Sequence, residues 1–303
     1  MSKQTRSSRR QFMIRTGGAS AVAALAVSLG ERLEAADAAS DGVDINHSVC
    51  KWCYPKVSME DLCTAGKEFG LKSIELLAPD AIKKVQKHGI TCALVTNPTA
   101  KTAQGVKVGG IGKAWNRTEH HKTLLEAYEQ RIKATKELGL DNLICFSGNR
   151  DGLDDEQGMK NCAEGLKKLM PIAEKHGVTV TMELLNSKVN HKDYMCDHTA
   201  WGAGLCDMIG SERFKLLYDI YHMQIMEGDV IATIQKYQSY ISHYHTGGVP
   251  GRNEIDDTQE LNYPAIMRAI KATGYTGYVA QEFIPKRDDK LASLKQGVEI
   301  CTI

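Results

Sequence analysis

Beyond residue 40 the chain alternates short apolar runs with longer amphipathic segments. The apolar runs have the length of buried strands, and the segments between them carry apolar residues three and four positions apart, as amphipathic helices do. Glycines such as Gly70 and Gly177 follow the helical segments, which is typical of a helix end that leads into a strand. The predicted strands are residues 44–52, 72–77, 91–96, 142–147, 178–184, 214–220, 241–246 and 277–283.

This alternation predicts a parallel sheet, because a helix between two strands returns the chain to the same edge. Eight strand–helix pairs predict an α/β fold of the closed (β/α)₈ TIM barrel type, and we assign residues 40–303 to one such domain. The alternative is a doubly wound open sheet. It is disfavoured because no G-x-G-x-x-G turn follows the first strand, and the glycine-rich residues 107–115 are interpreted as a loop.

The first 39 residues have a different pattern. Arg9 and Arg10 precede a short Gly/Ala-rich run, and small residues near Ala38 offer a cleavage site. This layout resembles a twin-arginine export signal over residues 1–39, so we expect a periplasmic protein that is exported in its folded form. The run from residue 17 to residue 30 is too short to cross a bilayer, so we expect no membrane span in the mature chain.

Composition and charge exclude several classes of protein. A hydrophobic content of 42% is too high for a disordered or fibrous chain, and 38 basic residues against 37 acidic ones give a net charge of +1. A nearly neutral chain has no overall field to attract nucleic acid or an anionic membrane. We therefore expect a small-molecule substrate and no nucleic acid partner, and we leave open whether the protein is a homo-oligomer.

The nine cysteines include a C-x-x-C pair, Cys50 and Cys53. A redox function of this motif depends on a helix N-terminus that lowers the thiol pKa. Here the pair falls in the first predicted strand and the loop after it. The cysteines are therefore interpreted as scattered buried thiols.

Four residues with metal-binding side chains lie at the ends of the last four predicted strands. They are Glu183, Asp219, His245 and Glu282. In a TIM barrel the functional groups lie at the C-terminal ends of the strands, so these side chains are expected to meet. Each carboxylate taken alone could equally be a strand-end cap or an ion-pair partner. Together, three carboxylates directed into one space repel each other unless a cation neutralises them.

We therefore predict one divalent metal ion at this position. Three carboxylates and one imidazole suit Mn²⁺, Mg²⁺ or Co²⁺ and are compatible with Zn²⁺. Such an ion stabilises the enediolate that forms when a proton α to a carbonyl group is removed. Glu183 and Glu282 are then the candidate acid/base pair that takes and returns the proton, in addition to binding the metal.

Four segments carry a resemblance to a known family: "TMELLN", "YDIYHMQ", "HYHTGGVPGRNEID" and "GYVAQEF". They resemble the xylose isomerase-like barrel superfamily, and within it the hydroxypyruvate isomerases, which contain a V-P-G-R-x-E segment. The resemblance covers roughly residues 44–300 and is strongest over 178–283. It implies a divalent metal held by Glu183, Asp219, His245 and Glu282.

The resemblance also implies substrate contacts. Hydroxypyruvate isomerases typically have Gln as the third metal ligand, whereas the ketose 3-epimerases of the superfamily have His, as this chain does at His245. The epimerases also share the D-x-x-H pair that ends in His222 and an arginine that matches Arg252. Both residues are therefore expected to bind the substrate, with Arg252 suited to a carboxylate.

The expected activity is a metal-dependent isomerase that moves a proton between adjacent carbons through an enediolate, converting hydroxypyruvate to tartronate semialdehyde. The alternative is a ketose 3-epimerase, or another isomerase or dehydratase acting on sugars or inositol derivatives. An abasic-site endonuclease is disfavoured by the neutral charge, and a sugar-binding barrel without catalysis is not required by any residue. The roles of His243, Glu75 and Trp52 stay open between the site and ordinary packing.

Overall fold

A parallel sheet that curls into a ring forms the centre of the computed structural model, which describes residues 45–303. Seven strands pair in the order β2-β1-β9-β8-β7-β6-β5, and a separate two-stranded hairpin joins β3 and β4. The strands are β1 (Asn46–Cys50), β2 (Leu71–Glu75), β3 (Ala100–Lys101), β4 (Lys107–Val108), β5 (Asn142–Cys145), β6 (Thr179–Glu183), β7 (Phe214–Asp219), β8 (Ile241–Thr246) and β9 (Tyr278–Gln281).

Helices follow the strands of the ring and cover its outside. They are α1 (Met59–Glu68), α2 (Pro79–Lys87), α3 (His121–Glu137), α4 (Asp155–His176), α5 (Thr199–Ile209), α6 (Ile220–Met226), α7 (Val230–Tyr237), α8 (Tyr263–Ala272) and α9 (Lys290–Cys301). Short 3₁₀ turns span Lys51–Cys53, Thr118–His120 and Gln238–Tyr240.

Residues 91–95 close the ring between β2 and β5. Val95 forms single parallel bridges with Leu77 on one side and Leu143 on the other, and its backbone N–H donates to the Asn142 carbonyl at 2.9 Å. All eight strands expected from the apolar runs are thus present, the third as isolated bridges. The single-domain (β/α)₈ barrel is confirmed, and the open doubly wound sheet is wrong.

Polar residues begin the helices where the sequence pattern indicates. The Ser58 hydroxyl accepts the Asp61 N–H at 3.0 Å ahead of α1, and Asp154 accepts two backbone N–H groups ahead of α4. Each such cap contributes about 1 kcal/mol to helix stability. Helix α4 ends at Gly177, whose φ of 66° is costly for a side chain with a Cβ.

The expected export signal over residues 1–39 lies outside the described residues, and the domain boundary at residue 40 stays a prediction. Within residues 45–303, no helix has both the length and the apolar character needed to cross a bilayer. All nine cysteines are free and buried, as the interpretation of scattered thiols requires. The glycine-rich loop at 107–115 begins with the second strand of the β3–β4 hairpin.

Candidate active site

Four side chains from four adjacent strands meet at one end of the barrel. Glu183 and Asp219 are the last residues of β6 and β7, His245 lies one residue before the end of β8, and Glu282 directly follows β9. All four are buried, and each offers an oxygen or nitrogen atom within 4.8 Å of those of the others. The structure therefore brings together the set expected from the strand ends. Their role as metal ligands stays a prediction.

Strand register explains why these residues converge. Asp219 lies opposite His245, which in turn lies opposite Ala280, two residues before Glu282. Glu183 lies opposite Leu217, two residues before Asp219. Because side chains two positions apart on a strand point to the same face, all four project from the same side of the sheet.

Arg252 is bonded to two members of this cluster. Its Nη2 donates to Asp219 Oδ2 at 3.2 Å and to Glu282 Oε2, and its Nε donates to the Glu282 carbonyl. The guanidinium also lies 5.2 Å from the Trp52 ring and 5.5 Å from the Tyr221 ring. Within residues 45–303, Arg252 Nη1 has no hydrogen-bond partner.

Burial and nearby charges shift the pKa values of the three carboxylates in different directions. Burial opposes ionisation of Glu282, but Arg252 and His245 outweigh it and hold the pKa of Glu282 well below its usual range. Burial raises the pKa of Asp219 to about 8 despite the nearby guanidinium. Burial, together with the charge of Glu282, also raises the pKa of Glu183.

The donor set fits a divalent cation. The three carboxylates of the cluster share one guanidinium, that of Arg252, so two negative charges lack a counterion when all three acids are ionised and His245 is neutral. Glu183 Oε1 is buried and has no hydrogen-bond partner among the described residues. The four donor atoms lie within 4.8 Å of one another, and opposite ligands of one ion at about 2.1 Å would be roughly 4.2 Å apart, so a small inward movement would suit such an ion.

His245 presents one ring nitrogen to the cluster and the other to Glu75. Its Nδ1 lies 2.8 Å from Glu282 Oε2, whereas its Nε2 lies 2.8 Å from Glu75 Oε1. Glu75 Oε1 is also 2.8 Å from His243 Nε2, and Glu75 Oε2 accepts the Ser48 hydroxyl at 2.6 Å. Burial opposes ionisation of Glu75, but the two histidines lower its pKa to about 2. The ionised carboxylate therefore accepts a hydrogen bond from the Nε2–H group of His245, which leaves Nδ1 as the ring nitrogen that faces the cluster.

His222 lies beside the cluster at the start of α6. Its backbone N–H donates to Asp219 Oδ1 at 3.0 Å, and its ring Nε2 is 3.6 Å from Asp219 Oδ2. Its Nδ1 lies 2.6 Å from the Asn186 side-chain amide. Sequence reasoning missed Asn186, although a polar residue three positions after a strand-end glutamate was the available signal.

A cavity of about 400 Å³ opens next to the cluster. Glu183, Glu282 and Arg252 line one part of it, and a largely apolar wall faces them. Trp52 lies at the cavity, is 45% exposed, and donates its Nε1–H to Glu282 Oε1 at 2.8 Å. Trp115, by contrast, is fully buried in the core. A larger cleft of about 600 Å³ lies along α3 at the hairpin and contains none of the four cluster residues.

Glu254, the acid that ends the V-P-G-R-N-E segment, binds backbone N–H groups of another loop. Glu254 Oε1 accepts the backbone N–H groups of Lys286 and Arg287 at 2.8 and 3.0 Å, and the Ser293 hydroxyl at 2.9 Å. Glu254 therefore fastens the loop after β8 to the loop after β9, which begins with Glu282.

A family model described as the xylose isomerase-like TIM barrel matches residues 61–301. The chain belongs to this family. A putative hydroxypyruvate isomerase of Homo sapiens is 23% identical over 249 residues, which cover 78% of this chain and 88% of the relative. A 2-oxo-tetronate isomerase of Pectobacterium atrosepticum is 23% identical over 242 residues, covering 77% of this chain and 89% of that protein.

A solved structure described as an AP endonuclease, family 2, from Brucella melitensis has a TM-score of 0.69 and 24% identity. The match covers 82% of this chain and 96% of that one. At this identity the likeness establishes the fold alone. The names of the two relatives support an isomerase of this family as the activity.

Proposed function

We propose that this protein is a metal-dependent isomerase that moves a proton between adjacent carbons of a small hydroxy-carbonyl substrate. The observation that carries the proposal is the buried cluster of Glu183, Asp219, His245 and Glu282 beside a cavity of about 400 Å³. These four residues would hold one divalent ion, Mn²⁺, Mg²⁺, Co²⁺ or Zn²⁺. When bound, the ion supplies the positive charge that stabilises an enediolate.

Glu183 and Glu282 form the acid/base pair. Their surroundings push their pKa values in opposite directions, which is the pattern expected of an acid and a base working together. Trp52 and Arg252 hold both side-chain oxygens of Glu282. Glu183 Oε1 makes no hydrogen bond within residues 45–303, and His245 Nδ1 lies 3.5 Å from it, so this oxygen is the one that accepts and returns the proton.

His222 and Arg252 bind the oxygen atoms of the substrate. The buried Nε2 of His222 and the Nη1 of Arg252 are both without hydrogen-bond partners in the described part of the chain. A guanidinium group recognises a carboxylate strongly. This supports a substrate with a carboxylate beside the reacting carbons, as hydroxypyruvate has.

The substrate we propose first is hydroxypyruvate, converted to tartronate semialdehyde. The support is the pair of relatives named as hydroxypyruvate and 2-oxo-tetronate isomerases. A ketose 3-epimerase, or another isomerase or dehydratase acting on sugars or inositol derivatives, is the second candidate. One observation in its favour is His245 as the nitrogen ligand. The other is the cavity of 400 Å³, which equals the volume of about thirteen waters at roughly 30 Å³ each. This is more space than a three-carbon acid fills.

The test is a proton-exchange assay in D₂O with the metal-loaded protein. Hydroxypyruvate and a panel of ketoses are incubated with each of the four metals, and deuterium incorporation is followed by NMR. We expect incorporation that Glu183→Gln and Glu282→Gln each reduce by at least about 10²-fold. Glu212→Gln, at a residue exposed to solvent, is the matched control and is expected to retain full activity. Exchange in none of the substrates, or full activity in both cluster variants, would refute the mechanism.

We also propose that residues 1–39 direct export to the periplasm. The support is the pair Arg9 and Arg10 ahead of the apolar run. Fractionation of cells that express the wild type or the Arg9→Lys, Arg10→Lys double variant tests this proposal. We expect the wild type in the periplasmic fraction and the variant in the cytoplasm, and an unchanged distribution would refute it.

A further inference from the structure

The Asn186 side chain can be oriented in only one way. Its Oδ1 accepts the backbone N–H groups of Val189 at 3.1 Å and Asn190 at 2.8 Å. Backbone N–H groups only donate, so the atom that faces them must be the amide oxygen. The amide nitrogen of this fully buried residue therefore faces the opposite way, toward His222.

This orientation determines the protonation of the His222 ring. Asn186 Nδ2 lies 2.6 Å from His222 Nδ1, and it also donates to Asn190 Oδ1 at 2.8 Å. An amide NH₂ group has no acceptor to offer, so His222 Nδ1 must be the acceptor and cannot carry a proton. A neutral imidazole has one N–H, and on His222 it must be on Nε2. In a doubly protonated ring, the Nδ1–H group of His222 would face the Asn186 amide N–H at 2.6 Å, and two donors cannot form a hydrogen bond.

The Nε2–H group of His222 has no partner of its own. It is buried, lies 3.6 Å from Asp219 Oδ2, and makes no hydrogen bond within residues 45–303. The rings of Tyr221 and His191 pack edge-on against the imidazole at 5.1 and 5.2 Å and limit its rotation. A buried donor without a partner is unfavourable, and a ligand oxygen at this position would satisfy it.

We propose that Asn186 is a positioning residue that holds His222 as the neutral Nε2–H tautomer. His222 then donates a hydrogen bond to a substrate oxygen at the cluster and cannot act as the base that removes the proton. This assignment rests on the proposed function in one respect, namely that a substrate oxygen is the acceptor. The simpler alternative is that Asn186 only stabilises its own loop, through the two hydrogen bonds that its Oδ1 accepts.

Asn186→Asp separates these two roles. The aspartate keeps an oxygen for the Val189 and Asn190 N–H groups, but its second oxygen accepts where the amide donated. The His222 proton is therefore expected to move to Nδ1, which gives the opposite tautomer and leaves Nε2 unprotonated. Asn190→Asp is the matched control, because it adds the same charge nearby and keeps the oxygen that accepts from Asn186 and from Tyr221.

The primary measurement is imidazole ¹⁵N NMR of the metal-free protein labelled at histidine, with His222 assigned by its loss in His222→Gln. In the wild type and in Asn190→Asp we expect a protonated Nε2 and an unprotonated Nδ1. In Asn186→Asp we expect a protonated Nδ1. The wild-type spectrum alone is decisive if the variant does not fold, because a proton on Nδ1 of wild-type His222 would overturn the proposal.

The second measurement is turnover of the metal-loaded enzyme. Loss of one positioned donor lowers kcat by about 10²-fold to 10³-fold, so we expect such a fall in Asn186→Asp and near-normal turnover in Asn190→Asp. A shifted proton with unchanged kcat would overturn the role of His222 as donor. If the tautomers are as expected but the wild type acts on none of the substrates, the proposed function fails while the assignment of Asn186 stands.

Discussion

Replacing Glu75 tests how the proposed metal site is supported from inside the barrel. Glu75 is fully buried and accepts from four groups: the Nε2 atoms of His243 and His245, both at 2.8 Å, the Ser48 hydroxyl at 2.6 Å and the Cys50 thiol at 3.9 Å. Glu75→Ala leaves these four donors without their acceptor. Glu75→Gln keeps an oxygen for both imidazoles, removes the charge and places an amide donor at the Ser48 hydroxyl.

The two variants should differ in stability. Breaking a buried ion pair by removing one partner costs about 3–5 kcal/mol, so this is the loss in unfolding free energy that we expect for Glu75→Ala. In Glu75→Gln two charge-assisted bonds become neutral ones, at about 1 kcal/mol each, so we expect a loss of about 2 kcal/mol. Urea unfolding of the metal-free proteins measures both values.

Metal affinity should fall in both variants. Removing the partner of a metal-bound histidine typically weakens metal binding by about 10-fold to 100-fold, and we expect this range for Mn²⁺ by titration calorimetry. His243→Gln is the control, because the amide still donates to Glu75 while His245 is untouched. It should bind Mn²⁺ within about threefold of wild type. Wild-type affinity in both Glu75 variants would refute the role of this carboxylate.

Three further predictions follow from contacts around the site. Trp52→Phe removes the hydrogen bond to Glu282 from a half-exposed side chain, so kcat/KM should fall about 10-fold while the urea midpoint barely changes, and an unchanged kcat/KM would contradict this. Glu254→Ala leaves two backbone N–H groups and a hydroxyl without an acceptor and should cost about 2–4 kcal/mol in urea unfolding; a loss below about 0.5 kcal/mol would show that this anchor is unimportant. All nine thiols are buried, so a thiol reagent should label none in the native protein and nine in urea; rapid native labelling would contradict their burial.

The fold was largely predictable because buried parallel strands are continuous apolar runs. Two features were not. Residues 91–95 join the sheet through single bridges, which no pattern of apolar residues distinguishes from a full strand. The β3–β4 hairpin consists of two-residue strands, Ala100–Lys101 and Lys107–Val108, and such short segments have no detectable periodicity.

The candidate site was predictable only in its strand-end residues. The contact between Glu75 and His245 joins positions 170 residues apart and depends on closure of the ring. The bonds of Arg252 to Asp219 and Glu282 depend on a backbone conformation, φ 58°, that is uncommon for a residue with a Cβ. The sequence therefore identified Arg252 as suited to a substrate carboxylate. It did not indicate that Nη2 of Arg252 donates to Asp219 and Glu282.

The unequal surroundings of Glu183 and Glu282 indicate how the proposed acid/base pair divides the reaction. Glu282 is held by Trp52 at one oxygen and by Arg252 and His245 at the other, so it is fixed in position and kept ionised. Glu183 Oε1 makes no hydrogen bond in the described residues and lies 3.5 Å from His245 Nδ1, and burial raises the pKa of Glu183. A group that accepts a proton needs a free lone pair and a raised basicity, and Glu183 has both. We therefore expect Glu183 to remove the proton first, and Glu282→Gln to weaken metal binding more than Glu183→Gln does.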